Sequence, residues 1–216
     1  MEREKLTSIK EEILKPDSDK LGNVAVIYAK VFAGWPWYEV SKGISCGRFY
    51  GPELPPGSPC PCGSENLEEA YPKDETLKYI AKELSKPLAL GIILSISQEP
   101  CGFGWGYKLN GRDFAETKYT LANFQRVIVS IIGTNDYFYI SEVGIVPEFQ
   151  KNGLGYKVTS TLADQATLYR LPILMRTNNE SPMVNVAKKL GMIEIQGPTS
   201  GLLDPENPER VVFTRI

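Results

Sequence analysis

One stretch, from Tyr137 to Arg170, constrains the fold of this chain more than any other. It opens with aromatic and β-branched residues as far as Val146 and is then broken by Pro147, a pattern that predicts a β-strand. Apolar residues next recur at the spacing of one helix face, at Leu154, Val158, Leu162 and Ala166. The stretch is therefore predicted to run from a strand through a glycine-containing turn into a helix.

The turn between this strand and helix has the chemistry of an anion site. It consists of Gln150, Lys151, Asn152, Gly153, Leu154 and Gly155. A strand that enters such a turn directs free backbone N–H groups and the positive end of the helix dipole at one point, where phosphate binds. The two glycines allow the backbone to approach an anion closely, and Lys151 adds a positive charge. The spacing does not fit the commoner glycine motifs that bind nucleotides.

The residues from Ile145 to Gly155, IVPEFQKNGLG, resemble the acyl-CoA signature of the GNAT superfamily of N-acyltransferases. The resemblance continues through a predicted strand (Leu171–Thr177), a predicted helix (Ser181–Leu190) and Gly191-Met192, in place of the usual Gly-Phe. It implies a mixed α/β, GNAT-like fold with a central, splayed mixed sheet flanked by helices. It also implies that the turn amides hold the pyrophosphate of acetyl-CoA, whose acetyl group a primary amine takes by direct attack.

The resemblance implies roles for further residues. Backbone amides near Val143 and Ile145 are expected to bind the pantetheine arm and polarise the thioester carbonyl, where a bulge separates two parallel strands. Gly144 is the predicted position of that bulge, because glycine weakens strand pairing. Asn179 either contacts CoA, in a register shifted by one from the family pattern, or caps the next helix. The tyrosine that usually protonates the leaving thiolate is replaced by Ala187.

An amine has to lose its proton before it attacks a thioester. For a lysine-like amine at pH 7 this costs about 4.6 kcal/mol, so a general base is useful. We predict Glu142, on the strand that leads to the turn, as the base, with Tyr139 and Glu180 as alternatives. Alternation along the strand predicts that Glu142 shares a face with Ile140 and lies opposite Val143. That face meets either the acceptor cleft or solvent.

The segment 41–69 is rich in glycine, proline and serine, and a loop this long inside a domain suggests that something ties it down. The four cysteines of the chain are Cys46, Cys60, Cys62 and Cys101, and there is no histidine. If the predicted hairpin that carries Cys101 meets the loop, the four thiolates form a closed, structural zinc site. The alternative is four unrelated thiols, because the spacing Cys60-Pro61-Cys62 is not the usual Cys-x-x-Cys.

Other elements are predicted from periodicity and from glycine and proline breaks. Strands are predicted at Leu6–Ile9, Leu88–Ser97, Gly102–Leu109, Ile193–Gln196 and Arg210–Ile216, and helices at Leu21–Val31, Pro72–Lys86 and Leu121–Ile131. Aromatic residues follow the first helix, and they either line an acceptor pocket or pack in the core. They are Phe32, Trp35, Trp37 and Tyr38.

Composition limits the class of protein. A 216-residue chain that is 42% hydrophobic is expected to form a single domain, residues 1–216, with an insertion at about 41–69. A net charge of −2 argues against a nucleic-acid partner. The charged N-terminus and the short apolar runs argue against a secretory signal and a membrane span. We expect a cytoplasmic monomer or homodimer acting on a small-molecule or peptide amine. A non-catalytic acyl-CoA sensor and a zinc-stapled interaction module are the alternatives.

Overall fold

The computed structural model describes residues 9–195, 204 and 207–216, and these form strands and helices that alternate through much of the chain. In chain order the elements are β1 (Ile9–Leu14), α1 (Leu21–Phe32), β2 (Ser41–Lys42), β3 (Phe49–Tyr50), β4 (Glu68–Glu69), α2 (Lys73–Leu84), β5 (Leu90–Ile96), β6 (Glu99–Asn110), α3 (Gly111–Lys118), α4 (Ala122–Ile132), β7 (Asp136–Ile145), α5 (Leu154–Leu168), β8 (Ile173–Asn178), α6 (Met183–Lys189), β9 (Ile193–Glu194) and β10 (Arg210–Arg215).

Seven of the strands form one sheet in the order β1-β5-β6-β7-β8-β10-β9. Neighbouring strands are antiparallel except β7 and β8, which run parallel. The parallel pairing is short and joins only Phe138–Ile140 to Ile173–Met175. Beyond it the two strands continue without pairing to each other, so the sheet is splayed at this point. The predicted mixed, splayed sheet with flanking helices is confirmed.

Helices cover both faces of this sheet. On one face, α1, α2, α3 and α4 bury an aromatic core around Phe103, Trp105 and Phe114. On the other face, α5 and α6 pack on aliphatic side chains, and Val158 and Leu162 of α5 are fully buried there. Full burial of a side chain of this size contributes about 1.5–3 kcal/mol. The packing fixes α5 against the sheet, with its N-terminus at the end of β7.

Two elements differ from the sequence prediction. Strand β1 runs from Ile9 to Leu14 through charged residues, while the first residues of the predicted strand, Leu6–Ser8, lie outside the described part. Charged side chains are tolerated there because β1 is an edge strand, which among the described strands pairs only with β5. Helix α3 was not predicted. Its signal is the Asn110 cap, whose side-chain oxygen accepts the backbone N–H of Asp113 at 2.9 Å.

The β5–β6 hairpin turns earlier than the sequence predicted. Its turn residues are Ser97 and Gln98, with φ of 51° and 71°, and β6 begins at Glu99. Two consecutive positive φ angles are typical of a two-residue type I′ hairpin turn. Cys101 is therefore a strand residue rather than part of the connection predicted from sequence, and it is fully buried in the core beneath α5.

The segment 41–69 is not structureless. It contains a second, small sheet in which β2 lies between β3 and β4. The end of the predicted penultimate strand, at Gln196, lies outside the described residues. Among the helices described, none combines the length and apolar character needed to cross a bilayer.

Candidate functional site

Two cavities meet where β7 and β8 separate. The larger, of about 530 Å³, follows the turn that leads into α5. The smaller, of about 230 Å³, lies between the end of the parallel pairing and the residues that follow α1. Both cavities are lined by Trp37, Val143, Ser181 and Met183, so they join at the splayed strand. A group bound in one cavity can therefore reach a group bound in the other.

The glycine turn borders the larger cavity. Gln150, Lys151, Gly153, Leu154 and Gly155 all line it. Lys151 and Gly153 adopt positive φ angles of 64° and 77°, which bend the chain sharply before α5. Within the described part of the chain no side chain caps the N-terminus of α5, so its first backbone N–H groups and its dipole are available to an anion. These features suit a phosphate group, and phosphate binding at the turn stays a prediction.

The two predicted asparagines lie outside both cavities. The side-chain amide of Asn152 donates to the carbonyl oxygens of Phe149 and Gln150, at 3.3 and 3.1 Å, and so stabilises the turn. Asn179 is exposed, and its backbone N–H donates to the carbonyl of Glu209 at 2.7 Å. The N-cap position of α6 is Pro182, and just before it the Ser181 hydroxyl oxygen accepts the N–H of Met183 at 3.2 Å. Asn179 therefore does not cap α6, and its contact with CoA stays a prediction.

The open edge of β7 carries two predicted amides. The N–H of Val146 donates to the backbone carbonyl oxygen of Cys101, on β6, at 3.0 Å. Because successive N–H groups of a strand point to opposite sides, those of Val143 and Ile145 are directed away from β6, toward the edge that β8 has left. Both residues line the larger cavity. They are donors of the kind that polarises a carbonyl.

A bulge in β7 determines which side chains enter the smaller cavity. Gly106 pairs with Ile140 and Trp105 pairs with Glu142, which leaves Ser141 as an extra residue. Tyr139 and Glu142 therefore lie on the same face of the sheet, although they are three positions apart. Our prediction that Glu142 shares a face with Ile140 was wrong, because strict alternation ignores this bulge.

The bulge is also not at Gly144, where we had predicted it. Gly144 pairs regularly with Phe103. Glycine is needed there for a different reason: a Cβ atom at Gly144 would lie 2.4 Å from the Phe103 ring. The glycine thus accommodates the aromatic core rather than breaking the pairing of the strands.

Glu142 lies in an environment that suits a proton acceptor. Its Oε1 accepts a hydrogen bond from the Tyr79 hydroxyl at 3.2 Å. Burial raises the pKa of Glu142 to about 7, although the positive charge of Lys118 and the Tyr79 hydrogen bond both lower it. A carboxyl group with a pKa near neutrality is half ionised at the operating pH of most enzymes, which is the condition for efficient general base catalysis. Of the two alternatives, Tyr139 lines the same cavity, whereas Glu180 is exposed and lines neither cavity.

A second carboxyl group, that of Glu39, lines the smaller cavity. It accepts a hydrogen bond from the Tyr71 hydroxyl, and its other oxygen lies 4.0 Å from Arg210. Burial raises the pKa of Glu39, while Tyr71 and Arg210 oppose that rise. Across the cavity, Arg176 forms an ion pair with Asp204. The walls of this cavity therefore carry both acidic and basic groups.

The aromatic residues after α1 divide between the two expected roles. Phe32 is buried in the core and also lines the smaller cavity, and Trp37 lines both cavities. Trp35 is exposed on one side and lines the larger cavity. Tyr38 is exposed and lines neither.

Sequence reasoning missed several residues that line these cavities or contact Glu142. Lys118 and Tyr79 come from α3 and α2, far from β7 in the chain. Lys189, in the last turn of α6, lines the larger cavity beside the glycine turn and adds positive charge. Ser181 lines both cavities. Ala187, at the position of the usual tyrosine, is fully buried in α6 and provides no acid.

Three of the four cysteines come together. The sulfur atoms of Cys46, Cys60 and Cys62 lie within 4.8 Å of one another. Cys101 is not part of this group, because the short hairpin turn places it in the core under α5. The predicted four-cysteine site is therefore wrong at Cys101, and a cluster of three thiols remains.

Comparison with known proteins supports the assignment of the fold. No protein-family sequence model matches the chain, and no curated protein sequence is significantly similar to it. Its structure is similar to mosquito arylalkylamine N-acetyltransferase-like 5b, at 11% identity over 96% of this chain and 99% of that chain, with a TM-score of 0.57. An acetyltransferase of the GNAT family from Streptococcus pneumoniae shares 9% identity over 96% and 99% of the chains, with a TM-score of 0.54.

A third similar structure is that of yncA from Salmonella typhimurium, solved with its cofactor acetyl-CoA. It shares 13% identity over 96% of this chain and 92% of that chain, with a TM-score of 0.52. Similarity at these identities reports the fold. The chain has the fold of the GNAT-family acetyltransferases, as the resemblance of its glycine turn predicted.

Proposed function

We propose that this protein transfers the acetyl group of acetyl-CoA to a primary amine and that Glu142 accepts the proton of that amine. One observation carries the proposal: a carboxyl group with a pKa of about 7 lies in a small cavity that joins a larger one at Val143. The larger cavity takes the donor and the smaller one the acceptor. The names of two similar structures support the reaction, since one is an arylalkylamine N-acetyltransferase-like protein and the other holds acetyl-CoA.

Each part of the larger cavity has a role in binding the donor. The amides at the N-terminus of α5, with Lys151 and Lys189, bind the pyrophosphate. The pantetheine arm then follows the open edge of β7. This path brings the thioester carbonyl to the N–H groups of Val143 and Ile145, which stabilise the negative charge that develops on its oxygen.

The amine reacts from the smaller cavity. Its nitrogen forms a bond to the carbonyl carbon, the carbon–sulfur bond breaks, and CoA leaves as a thiolate. The proton of the amine passes to the Glu142 carboxylate, directly or through one water molecule. The leaving thiolate resembles a cysteine thiolate, with a pKa near ~8.5, so it departs without the tyrosine that Ala187 replaces.

The test combines binding and turnover. Thermal melts should show a selective rise in the midpoint with acetyl-CoA, and a panel of primary amines should then be assayed for release of the CoA thiol. For an accepted amine, kcat/KM should rise with pH through about 7, because Glu142 acts in its ionised form. Glu142→Gln should lower kcat by about 10²–10⁴-fold with little change in the affinity for CoA.

Glu12→Gln is the matched control, because Glu12 lies on edge strand β1 and pairs with Lys10 and Lys20. It should leave the rate and the pH profile unchanged. If acetyl-CoA binds and no amine is acetylated, the protein is an acyl-CoA sensor and the proposed reaction is wrong. If Glu142→Gln retains full activity, the base has been misassigned.

A further inference from the structure

The cluster of Cys46, Cys60 and Cys62 has the dimensions of a metal site. The sulfur of Cys60 lies 3.7 Å from that of Cys46 and 3.0 Å from that of Cys62. Thiolates bound to zinc at about 2.3 Å in a regular tetrahedron have sulfur–sulfur edges of about 3.8 Å. Small adjustments of the side chains would bring all three sulfurs to that spacing. Soft thiolate ligands favour zinc over hard cations such as magnesium or calcium.

A fourth donor lies beside the three sulfurs. The phenol oxygen of Tyr50 is 3.7 Å from the sulfur of Cys46 and 3.7 Å from that of Cys60. An oxygen ligand at about 2.0 Å in the same tetrahedron lies about 3.5 Å from each sulfur. The Tyr50 oxygen therefore lies at about the distance from two of the sulfurs that a fourth ligand requires. Structural zinc sites are closed in this way, by four protein ligands.

The backbone presents these ligands from two tight turns. In the first, the loop of the β2–β3 hairpin, the N–H of Gly47 donates to the carbonyl of Gly43 at 2.7 Å. In the second, the N–H of Gly63 donates to the carbonyl of Cys60 at 2.9 Å. Gly43 lies between the turns, and a Cβ atom there would be 2.5 Å from the Cys46 sulfur and 2.9 Å from the Cys60 sulfur. Only glycine lets the two turns bring their sulfurs this close.

Hydrophobic burial alone does not account for the order of this segment. Its three strands are two residues long, and Cys60 and Leu67 are the only hydrophobic side chains of residues 41–69 that are buried. Sheets this small need a packed face or a cross-link to be stable. A metal bound by ligands from both turns provides that cross-link, because the free energy of binding contributes to folding.

The small sheet adjoins the acceptor cavity. β2 begins two residues after Glu39, and Tyr71 lies two residues after β4. The ring of Phe49, on β3, stacks on that of Tyr71 with centroids 5.5 Å apart, and the Tyr71 hydroxyl donates to Glu39. Both Glu39 and Tyr71 line the smaller cavity. The position of this cavity wall therefore depends on the small sheet.

We propose that Cys46, Cys60, Cys62 and Tyr50 bind one structural zinc ion, which holds the wall of the smaller cavity formed by Glu39 and Tyr71. Binding releases the three thiol protons and the phenol proton of Tyr50 to solvent, and it leaves three thiolates and one phenolate as ligands. The metal site is inferred from the geometry of the four residues alone. Its effect on the binding of the amine rests on the proposed function. The two parts are therefore tested separately.

The first test measures the metal. Protein purified without added metal should contain one zinc ion per chain by elemental analysis, and Co²⁺ substitution should give the absorption of a tetrahedral thiolate site. Cys62→Ala should bind zinc at least about 100-fold more weakly, and Tyr50→Phe about 10–100-fold more weakly, in competition with a chelator. Cys101→Ala is the matched control and should retain full zinc content, because Cys101 lies outside the cluster.

Three results would overturn the site. The first is an absence of zinc with all thiols free to react, and the second is full zinc content in Cys62→Ala. The third is an intact mass lower by two hydrogens, with peptide mapping that places a disulfide within the cluster. Cys62 is exposed, so its truncation removes a ligand without emptying the core. If the variant nevertheless fails to fold, chelation and readdition of zinc to the unaltered protein should reversibly lower and restore its melting midpoint, and an unchanged midpoint would count against the site.

The second test measures the effect on the cavity. Removal of zinc should raise KM for an accepted amine several-fold and leave the dissociation constant of acetyl-CoA unchanged, because the glycine turn lies on another part of the protein. Equal effects on both ligands would contradict a specific role at the Glu39–Tyr71 wall. If no amine is acetylated, the proposed function fails, while the zinc content and the Co²⁺ spectrum still decide the metal site.

Discussion

Replacing Glu142 with glutamine is expected to stabilise the protein at pH 8 while it removes the proposed base. The pKa of this carboxyl group is raised by burial from its ordinary value of 4.5 to about 7. Between these two values the folded chain holds a proton that the unfolded chain has already released. The unfolding free energy therefore falls as the pH rises from about 4.5 to about 7, because the folded state binds more protons in this interval.

The size of the effect follows from the shift. Each unit of pKa difference between the folded and unfolded states corresponds to about 1.4 kcal/mol, which gives an upper value of about 3 kcal/mol here. Water that enters the smaller cavity reduces this value, so we expect about 1–3 kcal/mol. Glutamine has a similar shape and keeps an oxygen that accepts the Tyr79 hydroxyl, so the variant removes the charge and retains the hydrogen bond.

The assay is denaturation of the unaltered protein, Glu142→Gln and Glu12→Gln at pH 5 and pH 8. Glu142→Gln should match the unaltered protein at pH 5 and exceed its unfolding free energy at pH 8, with a melting midpoint about 2–10 °C higher. Lys20 and Lys10 hold the pKa of Glu12 below its ordinary value, so this control should show no such divergence. The reasoning would be refuted if Glu142→Gln changed the unfolding free energy by the same amount at pH 5 and at pH 8, because a buried carboxylate predicts a change only at the higher pH.

Two further substitutions test the packing and the hydrogen bonding of the site. Gly144→Ala should destabilise the fold by about 1–3 kcal/mol in urea denaturation, since a Cβ atom would lie 2.4 Å from the Phe103 ring. Gly155→Ala, where the nearest side-chain atom is 3.8 Å away, is the control, and an equal loss in both would contradict the clash. Tyr79→Phe removes a hydrogen bond that lowers the pKa of Glu142, so the acid limb of the pH–rate profile should move to higher pH by up to about one unit. An unmoved limb would mean that Glu142 does not control it.

The part of the site that could be predicted from sequence is local. A strand, a glycine turn and a helix that follow one another in the chain have their geometry fixed by neighbouring residues. The turn from Gln150 to Gly155 therefore lies where its pattern placed it, and Lys151 and Gly153 take the positive φ angles of a tight bend. The separation of β7 from β8 was expected from the resemblance. The residue at which it begins, after Ile140, could not be predicted.

The face on which Glu142 lies could not be predicted from β7 alone. It depends on the extra residue at Ser141, and a bulge is defined by the register with a partner strand rather than by the bulged residues. The environment of Glu142 has the same origin. Tyr79 and Lys118 come from helices that are distant from β7 in the chain and meet it only in the folded protein. Cys101 was misplaced for a related reason, because a two-residue turn moved it from a loop into the core.

The raised pKa of Glu142 also offers a reason why the proposed reaction has no need of a tyrosine at Ala187. Once it has taken the proton of the amine, Glu142 is an acid with a pKa of about 7. The leaving thiolate has a pKa near ~8.5, so transfer of that proton from the carboxyl group to the sulfur is favourable by about 2 kcal/mol. The two cavities join at Val143, next to Glu142, and the Ser181 hydroxyl lies at the same junction. A single carboxyl group can then act first as the base and afterwards as the acid, and it returns to its ionised form for the next amine.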